Sequence, residues 1–390
     1  MRTWMGFMSA GLIANLVAFS SSLALIYKAA NSVAGATPEL TSSWLFAVCL
    51  GSGVSTLLLS LYYRQPILAA WSTPGAALLI SCLNGVSPAE AVGAFIVSSL
   101  LMCILGITGW FEKIMHRIPI SLAAAMLAGI LLQFGLKVFT ELPHQPLIFL
   151  TMLVVYLITK RIVPRYSILL VLCAGALVSW QQNLLQPVAA DWHLTAPQWI
   201  WPQFHVPVLM SVALPLFIVT MASQNLPGIA VMQTHGYRAP VSSVLTTIGI
   251  INVILAPLGC FAINLAAITA AICMGKDVHP LPAQRYKSAV VAGGGYIVCA
   301  VVGSFIIGLF MILPNVVVLC LAGIALFGVI GSSLSQALKH EGEREAALFS
   351  FLVTASGITM WGISSAFWGI VAGLIVMVSC KKYSPPVIEH

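Results

Sequence analysis

Apolar runs of about twenty residues, almost free of charge, recur along the whole chain and are separated by short loops. A run of that length is what an α-helix needs to cross the hydrocarbon core of a bilayer. Lipid offers the backbone no water, so such runs take the form of helices that satisfy their own peptide groups. The charge content agrees. Of 390 residues 60% are hydrophobic and 7% are charged, and the mean hydropathy is +1.02. A soluble protein carries about 25% charged residues. Too little charge is present to coat a water-facing surface, which excludes soluble enzymes, nucleic-acid binders and disordered chains. The stretch after Arg2 shows no cleavage signal and reads as a retained first span. The cysteines form no Cys-x-x-Cys pair and sit mostly in apolar runs, so they read as buried free thiols.

Cutting at charges, Pro/Gly clusters and polar runs divides the chain into about fourteen segments. They are 9–29, 44–62, 66–83, 89–110, 119–138, 145–161, 165–183, 206–233, 240–257, 259–275, 286–312, 314–335, 344–361 and 363–380. The basic residues give an independent check. With the N-terminus cytoplasmic and the segments alternating, only Lys28 and Lys137 of the 17 Lys and Arg fall on the outer side. Cytoplasmic loops collect Lys and Arg, and a wrong span count would mix the sides beyond the error. The expectation is fourteen spans with both termini cytoplasmic, the net charge of +7 marking orientation.

The chain also repeats itself. Leu127-Ala128-Gly129-Ile130 follows Pro119, and Leu321-Ala322-Gly323-Ile324 follows Pro314, 194 positions later. The same offset aligns the fifth segment with the twelfth, the third with the tenth and the first with the eighth. Seven spans per half is an odd number, so the halves are inverted relative to each other, as in secondary transporters. The predicted fold is an all-α polytopic membrane protein of two inverted sevens.

Three stretches carry polar chemistry at mid-span. In the third segment, Trp71-Ser72-Thr73-Pro74-Gly75 has hydroxyls followed by Pro, the pattern of a helix start. At mid-span it predicts an extended piece and then a half-helix whose positive end lies inside the membrane. The tenth segment offers a counterpart, with Asn264 or Thr269 as the cap of a second half-helix. The plainer alternative is a kinked, tightly packed span. In the eighth segment, Ser223-Gln224-Asn225-Leu226-Pro227-Gly228 puts adjacent amides before a Pro-Gly break. Such amides need partners or a cavity; bonding between helices is one use and facing a substrate is the other. Asn15 and Phe19 are the related candidates in the first segment.

All ten acidic residues and all eight histidines fall in loops or at span ends. No hydrolytic set or metal cluster can be assembled at membrane depth, so neither an enzyme nor a cofactor or metal site is expected. No proton relay through buried carboxylates is visible. Helix N-termini and neutral amides in an apolar setting suit a small organic anion, its body covered by side chains such as Phe19, Trp71 or Phe217.

The stretches Ala70-Trp71-Ser72-Thr73-Pro74-Gly75, Ser223-Gln224-Asn225-Leu226-Pro227-Gly228 and Asn264-Leu265-Ala266-Ala267-Ile268-Thr269-Ala270-Ala271 resemble the benzoate membrane transporter (BenE) family, over the whole length of the chain. The resemblance implies benzoate:proton symport, or carriage of a related aromatic acid, in the bacterial inner membrane. It also implies the fold of uracil, nucleobase/ascorbate and sulfate carriers, with short strands in spans 3 and 10. In that fold 1–111 and 206–312 form a core domain, and 112–183 and 313–382 a gate domain. An outer loop, 184–205, connects the halves, and 383–390 is a cytoplasmic tail. The nucleobase relatives carry glutamates in spans 8 and 10. Here Gln224 stands in the eighth and the tenth has no acid, which favours an anionic substrate and leaves proton coupling without a residue. Carriers of another anion or a nucleobase, and a channel-like anion facilitator, are the alternatives. The partners that fit are a benzoate-like anion, protons, the lipid bilayer and, for a homodimer, a second copy of the chain; nucleic acid is not among them.

Overall fold

Prolines and hydroxyls set where the helices begin. The computed structural model describes residues 2–111, 119–140, 142, 143, 145–186, 194–238 and 240–381. The segment 112–118 with Lys113 and Arg117, the middle of the 184–205 loop and the tail 383–390 lie outside the described residues. Helix α1 (Arg2–Ala30) is followed by α2 (Pro38–Tyr63), whose first turn is capped by Thr37 accepting from Leu40 N, with Pro38 at the first position. Strand β1 (Ala69–Trp71) and the short α3 (Thr73–Cys82) lead to α4 (Pro88–Thr108). At the start of α4, Ser87 and Glu90 cap each other's backbone N–H groups reciprocally. Then come α5 (Ile120–Thr140), α6 (Pro146–Ile162) and α7 (Ser167–Gln181).

The second half opens with α8 (Val206–Thr234), which contains two π-helical turns, Leu209–Ala213 and Met221–Asn225. It continues with α9 (Val241–Leu255), β2 (Ile263–Leu265), α10 (Ile268–Met274), α11 (Tyr286–Val301) and α12 (Gly303–Ile312). Helices α13 (Asn315–Ala337), α14 (Arg344–Ala355) and α15 (Ser365–Lys381) complete it. Among the described residues, six helices are long and apolar enough to cross a membrane. The number rises to eight if the bent pairs Trp4–Phe19 with Ser22–Ala30 and Pro282–Val301 with Gly303–Ile312 each count as one span. Among the described residues this membrane protein is all-helical apart from two three-residue strands.

The eleventh segment, expected as one span over 286–312, bends by 65° between α11 and α12. Helix α14 stops at Ala355, short of the predicted 361. Beyond it Trp361 and Gly362, both at positive φ, form a two-residue hairpin closed by reciprocal bonds between Met360 and Ile363.

The strands pair antiparallel, Ala69 with Leu265, Ala70 with Asn264 and Trp71 with Ile263, and all six residues are buried. A two-stranded sheet in lipid has two bare edges, each costly unless covered. Side chains cover both. On the β1 side the Thr56 hydroxyl donates to Ala69 O and accepts from Ala69 N, and Ser60 donates to Ile67 O. On the β2 side Asn252 donates to Ile263 O and accepts from Ile263 N, while Asn225 accepts from Leu265 N. Helix α2 packs on α11, α4 on α9, and α5 on α13 and α14, while α1 lies against α3, α10 and α11.

Candidate functional site

The half-helix α3 begins in the interior of the protein. Ser72 is fully buried, adopts extended dihedrals and accepts from Gly75 N at 2.9 Å, so it caps α3 while Pro74 occupies the first turn. Thr73 shares a 2.6 Å hydrogen bond with Ser22, at the break between the two parts of α1. On the other strand, α10 has seven residues and its N-cap position is Ala267, without a side-chain cap. Neither Asn264 nor Thr269 caps it. Asn264 lies in β2, and its amide donates to Ala262 O and accepts from Asn225, while Thr269 already lies inside the helix. With fewer than two turns, α10 adds little dipole, and α3 supplies the organised helix end.

Around this end lies a cavity of about 780 Å3, within the range of ligand pockets (roughly 300–1,000 Å3). Its walls come from α1, β1 and α3, the second π-turn of α8, the start of α10, and facing stretches of α5 and α13. Of the residues singled out in the sequence, Trp71, Thr73, Pro74, Ser223, Gln224, Pro227 and Thr269 line it. Ser72, Gly75, Asn225, Gly228, Asn264, Asn15, Phe19 and Phe217 do not. Gln224 is half-buried and its side chain makes no hydrogen bond to another described residue, so its amide is available to a ligand. A π-turn widens the helix by one residue and is frequent at functional sites; here it contains Gln224.

The residues outside the lining support it. Asn225 is fully buried, and its amide joins Asn264 Oδ1 at 2.6 Å and Leu265 N at 3.0 Å. Of its two sequence readings, the bonding between elements is what the structure shows. Gly228 brings α8 against β2, since a Cβ there would lie 2.7 Å from Leu265 Cβ, and Gly75 does the same toward Leu216. Phe19 stacks edge-on against Trp71 at 5.0 Å, and Tyr296 packs on the same indole at 5.4 Å. The aromatic cluster fixes Trp71 from behind. Asn15 sits against Gly295, and its Oδ1 has no hydrogen-bond partner among the described residues.

Several wall residues escaped the sequence reading. Ser22 follows Ser20 and Ser21 in an apolar helix, a signal that the triplet marked a break. Ser332, Ser333 and Gln336 share one face of α13 at helical spacing and line the cavity toward that helix's C-terminal end. Thr56, Ser60 and Asn252 were visible only as isolated polar residues in apolar spans.

A second cavity of about 510 Å3 lies at the opposite end of α3, bordered by Lys28, Asn31, Asn84 and Gln133. Between the hairpin and α3, Cys82 Sγ donates to Ser364 Oγ at 3.5 Å, and Ser364 donates to Ser211 O at 3.0 Å. No group of three or more His, Cys, Asp or Glu that could hold a metal occurs among the described residues.

Comparison with known proteins places this geometry. Residues 3–379 match the family described as Benzoate membrane transport protein. The chain is 48% identical over 369 residues to the inner membrane protein YdcO of Escherichia coli (strain K12), covering 95% of this chain and 94% of that one. It is 38% identical over 366 residues to a benzoate membrane transport protein of Acinetobacter baylyi, covering 94% and 93%. In structure it resembles the transmembrane domain of a cyanobacterial bicarbonate transporter, BicA, with a TM-score of 0.56 at 15% identity over 97% of both chains. That likeness is one of fold. On its match over nearly the whole length, the chain belongs to the benzoate membrane transport protein (BenE) family.

Proposed function

We propose that this membrane transporter is a secondary carrier of a small aromatic carboxylate, benzoate or a close analogue, in the bacterial inner membrane. The observation that carries the reading is the cavity at the N-terminus of α3, where an apolar wall surrounds a few neutral donors. The Thr73 and Gln224 side chains would meet the carboxyl group and Trp71 with the small aliphatic residues the ring. The family, the name of the Acinetobacter relative and the fold shared with an anion transporter support it.

Alternating access follows from the same reading. Fourteen spans in two inverted sevens are supported by the strands, since Ile263 of β2 lies 194 positions after Ala69 of β1 and pairs with its sheet antiparallel. They are supported again by packing, because α2 on α11 and α9 on α4 become equivalent pairs under that repeat. On this topology the larger cavity runs to the cytoplasmic ends of α5 and α13, and the Cys82–Ser364–Ser211 chain closes the outer side. The core domain would then move against the gate domain formed by 112–183 and 313–382.

Uptake of labelled benzoate into proteoliposomes tests the reading, with counterflow expected from a carrier. Absence of uptake above empty vesicles, with and without a pH gradient, would falsify it.

A further inference from the structure

Coupling to protons needs a group that takes a proton on one side and releases it on the other. Every described residue that lines the larger cavity is uncharged and non-titratable. Among the described residues, the titratable groups on the surrounding elements stand elsewhere. Tyr296 and Cys273 are fully buried outside the lining, Tyr27 and Lys28 border the other cavity, and Lys137 lies in the last turn of α5. Glu343 lies beyond the cavity wall, where it accepts from the Ser121 hydroxyl beside Ile120. His235 and Lys339 follow the ends of α8 and α13.

The polar atoms that do line the cavity are hydroxyls and primary amides, among them Thr73, Ser223, Gln224, Thr269, Ser333 and Gln336. Each can accept a hydrogen bond as well as donate one. They suit a carboxylic acid, which presents an O–H and a C=O, as well as a carboxylate. One helix N-terminus is equivalent to about half an elementary charge, which leaves a carried anion uncompensated in an apolar cavity.

We propose, resting on the transport reading above, that the substrate is its own proton carrier. The carboxylate takes a proton from hydronium on the outer side, forming its O–H bond as an O–H bond of hydronium breaks and leaves water. The neutral acid occupies the cavity through the transition, and on the cytoplasmic side its O–H bond breaks as a water molecule accepts the proton to form hydronium. One proton then accompanies each substrate, and no net charge crosses.

Initial uptake rates into proteoliposomes of the full chain, corrected for empty vesicles, test this. The rate is expected to fall about tenfold for each pH unit above the acid's own pKa. A ring-substituted benzoate of lower pKa moves the fall by the same interval. A potassium diffusion potential leaves the rate unchanged, and benzenesulfonate, anionic throughout, is not accumulated. Tyr296→Phe and Glu343→Gln retain the profile. A fall at one fixed pH for all analogues, uptake driven by the potential, accumulation of the sulfonate, or loss of the pH dependence in either variant would each overturn the proposal while leaving transport intact. No uptake of any analogue above empty vesicles would remove the transport reading itself.

Discussion

At the scale of single residues, Gln224 and Asn225 are neighbours in sequence with opposite tasks. The Asn225 amide is fully buried and joins β2 to α8, whereas the Gln224 amide lines the cavity without a protein partner among the described residues. Gln224→Ala is therefore expected to raise the KM for uptake about tenfold, the worth of one hydrogen bond to a carboxyl group, with the thermal midpoint unchanged. Asn225→Ala strands the Leu265 N–H and the Asn264 carbonyl, each at a cost of about 1–3 kcal/mol. Its expected signature is a lowered midpoint in thermal unfolding of the detergent-solubilised protein. Sequence reasoning found both residues because two amides before Pro-Gly are rare in an apolar run. It did not separate them, because the π-turn that gives one to the cavity and the other to the strand has no composition of its own.

At the scale of elements, the unit that organises the site is the crossed pair β1–α3 and β2–α10, held from outside by side chains. Thr56→Val removes both hydrogen bonds to Ala69, and Thr56→Ser keeps them. The valine variant is expected to lose about 1–3 kcal/mol, seen in the thermal midpoint, and serine to retain near-parental stability. Gly228→Ala pushes a methyl group against Leu265, 2.7 Å from its Cβ, and is expected to lower uptake at saturating substrate while the chain still inserts. The start of α3 was legible because Ser72, Thr73 and Pro74 spell a cap. The second half-helix was legible only as a place. Its start carries Ala267 in the cap position, and Arg285, buried with no carboxylate partner among the described residues, stabilises its other end by donating to Met274 O. An arginine eleven positions downstream gives no local sign of that role.

At the scale of the whole molecule, the inferred sidedness has a direct consequence for labelling. In a chain whose native cysteines are replaced, Ser333→Cys and Gln336→Cys are expected to react with a membrane-impermeant thiol reagent from the cytoplasmic side, with benzoate slowing the reaction. Asn84→Cys, bordering the other cavity, is expected to react from the outside. Ser364→Ala removes the hydroxyl between Cys82 and Ser211 and is expected to make outer labelling faster. The count of apolar segments made the membrane protein readable. The closure between the hairpin and α3 was not, since Cys82, Ser211 and Ser364 meet only once both halves have packed. The strand pair bears on how the protein is made. β1 is synthesised half a chain before β2, and until that partner arrives its backbone N–H and C=O groups depend on Thr56, which bonds Ala69, and on whatever water or chaperone the insertion machinery supplies. The first half is thus an incomplete folding unit, and its maturation waits for the second to leave the ribosome.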